Sequence, residues 1–551
     1  MEIAVQPFHM QRLQGNIVDI PNRRSYFGEL LVEAGRISGI RPLSDVPNAS
    51  APFICPGFID AHVHIESSLL VPSSFARLAV IHGTVATVSD PHEIANVCGA
   101  DGVFFMIENS RQTPFKFFFG APSCVPATIF ETAGAALDPA AVKDLLNRPD
   151  IWYLSEMMNF PGVLQGDPDV LEKIAAARAA GKPVDGHAPG LRGEDARRYA
   201  AAGISTDHEC FTYAEAKEKL QLGMQILIRE GSAARNFDAL IPLLQEYPNR
   251  VMFCTDDKHP DSLLEGHINQ LCARAIQQEI DPYCILQAAC INPVQHYGLP
   301  VGQLRPGDAA DFIVLEDLEN FRVLQTWIDG QLVAENGSTL LPHQPTGTIN
   351  RFHAWEVTEA DLRLPTAAAQ RPAITALDGQ LITEKYFPAP GEIRVADNQL
   401  LANPSADLLY CFVINRYHPA PPAGCLIRNF GLRTGAIAGS VAHDSHNIIA
   451  VGASLPAIVK AVNLLMEAGG GLCCVREQES DLLPLPVAGL MSNVDGFEVA
   501  EAYTRLDKMA KALGSPLRAP FMTLSFMALL VIPHLKLSDR GLFDGDSFRF
   551  A

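Results

Sequence analysis

Between residues 56 and 299, short apolar runs alternate with helix-like stretches, and a residue able to bind a metal ion closes run after run. Eight strands are expected there: FIDAH (58–62), TVATVS (84–89), FKFFFG (115–120), IWYLSE (151–156), KPVDGH (182–187), GISTDH (203–208), MQILIRE (224–230) and RVMFCTD (250–256). The intervening DVLEKIAAARAAG and LRGEDARRYAAAG read as helices, each stopped by glycine. Strand followed by helix, repeated over this length, predicts a parallel sheet closed into a (β/α)8 TIM-like barrel. Side chains at the C-terminal ends of such strands share one mouth.

That mouth would collect His62 and His64 from the first strand, Asp90 from the second, Glu156 from the fourth, His187 from the fifth, His208 from the sixth and Asp256 from the eighth. Residues two apart on a strand project to the same face. His62 and His64 therefore aim two imidazoles at one point, and neutral imidazole is the commonest protein metal ligand. Catalytic sites combine such ligands with Asp or Glu and keep a position open for water. Singly, each residue has an ordinary alternative: His187 could cap a helix, Glu156 could be a surface carboxylate, and Asp256 could bond the loop at Lys258. Their convergence favours a metal-dependent enzyme.

The flanks carry a different pattern. GNIVDI, GELLVEAGRISGI and APFIC precede the barrel, and residues 310–337 return to alternating apolar character with an Asp-Gly turn signal. We expect a small β-sandwich built from residues 1–55 with 300–345, the catalytic barrel at 56–299 inserted in it, and a C-terminal domain of mixed α and β structure at 346–551. That last part opens on a loop-rich connection, followed by a strand at LLYCFVINRY and a helix at SLPAIVKAVNLLMEAGGG with Ser454 as its cap and Pro456 in its first turn.

A formal charge of -20 repels nucleic-acid phosphates and anionic membranes, so neither is an expected partner. The twelve cysteines lack any CxxC spacing and imply a reducing, cytoplasmic setting. MEIAVQPFHMQRL has no apolar signal core, and the longest apolar stretch, Phe521 to Pro533, is too short to span a bilayer.

PGFIDAHVHIESS, SDPHEIANV, SEMMNFPGV, DGHAPGL, STDHE and CTDDKHPDSLLEGHIN together resemble the bacterial-type adenine deaminase family of the amidohydrolase superfamily. The resemblance implies hydrolytic deamination of adenine to hypoxanthine and ammonia in purine salvage, with a metal-activated hydroxide attacking C6. It implies divalent metal, two ions per subunit of Mn, Fe or Zn, with His62 and His64 on one, His187 and His208 on the other, and Glu156 bridging. Related cyclic-amide hydrolases often bridge with a carbamylated lysine from strand four; IWYLSEMMNF offers Glu156 instead. Asp256 would ligate metal and act as general acid/base.

The motif match also brings His92 toward the metals or the substrate, in a catalytic or binding role, although a structural hydrogen bond stays open for it. Glu93, Arg229, Asp257 and His259 are further candidates for reading the purine, against the alternative of ordinary solvated charges. VAHDSHNIIAVG, with His443, Asp444, His446 and Asn447, resembles the family's C-terminal signature and either covers a barrel mouth or forms a polar turn. The expected assembly is a homo-oligomer, a dimer. Two other readings keep the fold: a hydantoinase- or dihydroorotase-like hydrolase of a cyclic amide or another aminopurine, and a catalytically inactive scaffold. The strand-four glutamate argues against the first and the complete ligand set against the second. A cytidine-deaminase-like site is excluded because no PCxxC follows HIE, and HExxH is absent.

Overall fold

The computed structural model describes residues 10–477 and 479–551. Residues 1–9, on which the expectation about a signal core largely rests, lie outside them. Strands β1 (Gln11–Asp19), β2 (Arg24–Glu33), β3 (Arg36–Pro42) and β4 (Phe53–Pro56) come first. The eight strands of the middle region follow as β5 (Phe58–Val63), β6 (Thr84–Ser89), β7 (Lys116–Ala121), β8 (Ile151–Met157), β9 (Val184–Gly186), β10 (Thr206–Asp207), β11 (Gln225–Arg229) and β12 (Val251–Cys254). After them the chain returns to the first sheet with β13 (Phe312–Leu315), β14 (Val323–Ile328), β15 (Gln331–Glu335) and β16 (Ser338–Thr339).

The two flanks meet in one eight-stranded sheet ordered β16-β15-β14-β13-β4-β1-β2-β3. Strand β4 joins them, parallel to β1 on one side and antiparallel to β13 on the other. Alternation supplies the shared core: Ile17, Leu30, Val32, Ile54, Phe312 and Val314 are buried together, with the Trp327 ring stacked on Phe312. The barrel is thus inserted between two pairing partners, which hold its entry and exit side by side.

All eight middle strands pair in parallel, as β5-β6-β7-β8-β9 and β10-β11-β12. Two seams close the ring. At one, the Ser205 amide donates to the Val184 carbonyl at 2.8 Å, and a Cβ on Gly186 would lie 2.3 Å from the Thr206 carbonyl oxygen, so only glycine lets the strands approach. At the other, Asp256 bridges to Val63: its amide donates to the His62 carbonyl at 2.9 Å and its carbonyl accepts from the His64 amide at 3.1 Å. Buried Asp60 reinforces this seam, accepting from the Thr255 amide at 3.0 Å and from the Thr255 hydroxyl, and facing His267 Nε2 at 2.9 Å. His267 is held in turn by Thr84 at 2.6 Å.

The C-terminal part contains an eight-stranded sheet running from Thr383–Tyr386 through Ala373–Ala376, Ala423–Arg428, Leu409–Ile414, Ile448–Gly452, Ala436–Gly439 and Gly471–Arg476 to Glu479–Pro484. The helix Leu455–Ala468 follows Ser454 and stops at left-handed Gly469, as its sequence predicts, although the Ser454 side chain makes no capping bond. It buries Ile458, Val462 and Leu465 against the sheet. The helix Gly496–Ala512 packs instead on the barrel helices Pro260–Glu265 and Pro72–Ala79, which seats this part on the barrel. Among the described residues no helix is long and apolar enough to cross a membrane.

One side chain in this seat is a buried lysine. Lys536 is fully buried and donates to the carbonyl oxygens of Leu381 (2.6 Å) and Phe526 (2.9 Å). Burial pushes its amine down to about 7.

Two outcomes follow from these contacts. Asp60→Ala removes the acceptor of a buried amide and a buried imidazole, and should lower the unfolding free energy by about 2–4 kcal/mol in urea titrations. For Lys536 the unfolded chain, titrating near the ordinary lysine value, binds more protons than the fold above about pH 7. Stability should therefore rise between pH 7.5 and 9.5, by up to about 2 kcal/mol from this group, and Lys536→Met should flatten that rise.

Candidate metal and substrate site

Strand β5 ends with His62 facing into the barrel, and His64 follows in extended conformation, so both rings reach the same mouth. Their Nε2 atoms lie 3.2 Å apart. Asp256, just beyond β12, brings Oδ1 to 3.0 Å from His64 Nε2 and 3.5 Å from His62 Nε2. It does so from a left-handed backbone (φ 56°), a conformation that aspartate tolerates better than most residues. The seam hydrogen bonds to His62 and His64 hold it there.

Glu156, near the end of β8, stands between two groups of imidazoles. Its Oε1 lies 3.4 Å from His64 Nε2 and 3.6 Å from His92 Nδ1. Its Oε2 lies 2.8 Å from His187 Nδ1 and 3.0 Å from His208 Nε2. Burial alone would raise this carboxyl; the imidazoles of His187 and His208 override it and hold Glu156 well below the usual carboxylate range. Asp256 is likewise held low, against burial, chiefly by the Arg229 guanidinium.

These donors suit a divalent cation. His62, Glu156 and His208 could share one ion, as could His62, His64 and Asp256, or His64, Asp90, His92 and Glu156, or His187, His208 and Glu209. Within the cluster, His62 Nδ1 and His187 Nε2 are buried without a hydrogen-bond partner. Buried polar atoms are seldom left so. A mixed set of imidazole and carboxylate is the ligand chemistry of Zn, Fe and Mn.

Arg229 is directed at carboxylates rather than at the cavity. It donates to Asp256 Oδ2 at 2.6 Å and to both oxygens of Glu209, one of them at 3.1 Å. Asn236 fixes the Arg229 amide at 2.7 Å. Glu209 carries no expectation from local pattern; its signal is its place after His208, one strand from an arginine. Asp257 does line the cavity, held by the Ser67 hydroxyl at 2.5 Å, and burial beside Asp256 pushes its carboxyl up to about 6. His259 lies behind, with Nδ1 on the Ser67 carbonyl at 2.9 Å and its ring against Tyr503. Glu230 bonds Arg274 at 2.7 Å and faces a separate cleft.

His92 and Glu93 begin the helix His92–Cys98, and there the C-terminal part joins the site. Glu93 receives His443 Nδ1 on one oxygen and His446 Nε2 on the other, while Asp444 Oδ1 lies 3.8 Å from His92 Nε2. The VAHDSH segment therefore covers its own barrel's mouth. Leu381 and Leu529 complete the roof. Of the apolar stretch 521–533, most is core, with Leu529 reaching the cavity. Free space inside is about 20 Å³, enough to admit a water. Leu381 also borders a cleft of about 720 Å³.

Residues 53–333 match the family model described as "Amidohydrolase family", and residues 380–549 match "Adenine deaminase C-terminal domain". The adenine deaminase of Sulfurovum sp. is 55% identical over 539 residues, covering 98% of each chain. That of Salinibacter ruber is 54% identical over 541 residues with the same coverage, and that of Methanosarcina mazei is 50% identical over 554 residues, covering 98% of this chain and 99% of its own. Likeness of this extent, spanning barrel, flanks and roof alike, makes the chain a member of the adenine deaminase family of amidohydrolases.

Proposed function

We propose that this protein hydrolyses adenine to hypoxanthine and ammonia at the barrel mouth, on two divalent ions per subunit, drawn from Mn, Fe and Zn. The observation that carries the reading is Glu156, which has one oxygen toward His64 and the other toward His187 and His208 at the C-terminal ends of the strands. On this reading His62, His64 and Asp256 hold one ion, His187 and His208 the other, and Glu156 spans both. Bound there, divalent ions supply Lewis acidity that makes water a competent nucleophile at neutral pH.

The remaining work falls to side chains. Arg229 occupies Asp256 Oδ2 and leaves Oδ1 toward the imidazoles, so the carboxylate has one fixed orientation. Asp256 takes one proton from the attacking water and delivers it to N1 as the C6–O bond forms, and the second proton of that water, from the C6 hydroxyl, passes to the amine as the C6–N bond breaks and ammonia leaves. Such a role requires hydrogen-bond reach, which the ordered Asp256 backbone supplies. His92, flanked by Asp90 at 3.1 Å and by Glu93 at 3.4 Å, is the next donor toward the substrate. Asp257 faces the purine, Glu93 lines the same cavity with both oxygens held by His443 and His446, and Leu381 with Leu529 excludes bulk water from the reacting carbon. Arg229 and His259 act from behind, on Asp256 and on the Ser67 loop.

Asp256→Asn should keep KM for adenine within a few fold and reduce kcat by about 10²–10⁴, measured as ammonia release. A variant with wild-type kcat would remove Asp256 from proton transfer. Chelation should abolish turnover and lower the thermal midpoint, because an ion bound only by the fold stabilises it. Titrating Mn back should restore activity linearly to two equivalents per subunit; full recovery at one equivalent would refute the two-ion assignment.

A further inference from the structure

His443 is the imidazole that the C-terminal part brings to the cavity, and the two-ion assignment does not use it. It belongs to the loop after the strand Ala436–Gly439, yet its Nδ1 is bound to Glu93 at the start of a barrel helix. The second Glu93 oxygen is taken by His446, so the carboxylate cannot swing away. The Phe526 ring, 5.1 Å from that of His443, confines it on another side. Its Nε2 is buried and makes no hydrogen bond. Across the cavity Asp257 Oδ1 lies 4.0 Å from it, too far for a hydrogen bond and near enough for one ligand edge to touch both. A buried ring nitrogen left unsatisfied is costly, so a ring fixed this firmly with one free nitrogen points to a ligand.

Position within the cavity narrows what that ligand group is. His443 is separated from Glu156 by Glu93 and His92 in succession. A purine with C6 at the metal cluster turns its opposite edge, the ring nitrogen N3 and the N–H at N9, toward the far wall. That edge needs one donor and one acceptor. An imidazole whose Nδ1 is held by a carboxylate offers Nε2, and Asp257 offers an oxygen oriented by Ser67. Resting on the deaminase reading above, we propose that His443 and Asp257 form the subsite that binds the N3/N9 edge of the purine. Glu93 is then a positioning residue that acts through His443, not a group that touches substrate.

The assignment is tested with His443→Asn, His443→Ala and Glu93→Gln, assayed on adenine and on 3-deazaadenine with metal content measured on the same samples. The His443 variants should raise KM for adenine roughly ten- to hundredfold with metal content unchanged. The preference of the wild type for adenine over 3-deazaadenine should collapse toward unity in His443→Ala and be partly retained in His443→Asn. Glu93→Gln should raise KM in the same direction by a smaller factor. Unaltered KM, an undiminished preference, or a fall in kcat accompanied by metal loss would each overturn the subsite. Calorimetric binding of hypoxanthine, which has the same edge, reads the effect of each variant without turnover. A wild type that binds hypoxanthine but releases no ammonia from adenine would sink the deaminase reading, and the subsite would stand or fall on the binding data.

Discussion

Barrel closure and the candidate metal cluster are set by the same two hydrogen bonds. The backbone of Asp256 bonds to His62 on one side and His64 on the other, and that pairing is what joins β12 to β5. Closing the ring therefore fixes three of the presumptive ligands relative to one another before any side-chain preference is exercised. The left-handed conformation of Asp256 turns its carboxylate inward at that joint. Asp60, Thr255, His267 and Thr84 form a second polar layer beneath it, which converts a two-bond seam into a buried network. Rigidity at this point matters because ligand geometry errors of a fraction of an ångström are costly in a metal site.

Charge makes a separate demand. Asp90, Glu93, Glu156, Glu209, Asp256, Asp257 and Asp444 are all buried around one mouth, and Arg229 is the guanidinium among them. Buried carboxylates need pairing, protonation or a metal. Burial does raise Asp257, to about 6, but Glu156 and Asp256 are held in the ionised form by neighbouring cationic groups. A site built this way is most favourable with divalent cations in it. The same electrostatics explain why Arg229 is better placed as a clamp than as a reader of the purine: its charge is already committed to Glu209 and Asp256.

What was legible in the sequence followed from periodicity. The middle strands could be read because most carry a short apolar run between helices, Val-Asp-Gly of β9 and Thr-Asp of β10 being the exceptions, and their terminal residues could be read because a parallel barrel puts them in one place. Less accessible were features set by contacts between distant segments. Glu209 gains its importance only when Arg229 on β11 lies beside it. His259 looked like a mouth residue from its spacing, yet its ring turns to Tyr503, more than 240 positions along the chain. Whether VAHDSH covered a mouth or formed a polar turn could not be settled by local pattern, because the deciding partner is Glu93, 350 residues away.

The C-terminal part follows as a functional necessity of this architecture. The barrel strands cannot widen without breaking the seam that holds the ligands, and the free space of about 20 Å³ over the cluster admits a water but not a purine. Space must come from the roof, where Leu381 and Leu529 are the apolar members. Lys536 ties the Leu381 carbonyl to that of Phe526, whose ring flanks His443, so the apolar roof and the imidazole beneath it are linked by one buried amine. Leu381 lines both this cavity and the cleft of about 720 Å³ beside it, so the wall between the two is a C-terminal side chain and no metal-ligand candidate. Substrate exchange through the roof would leave the ligands in place, whereas a mouth made only of barrel loops would have to move them.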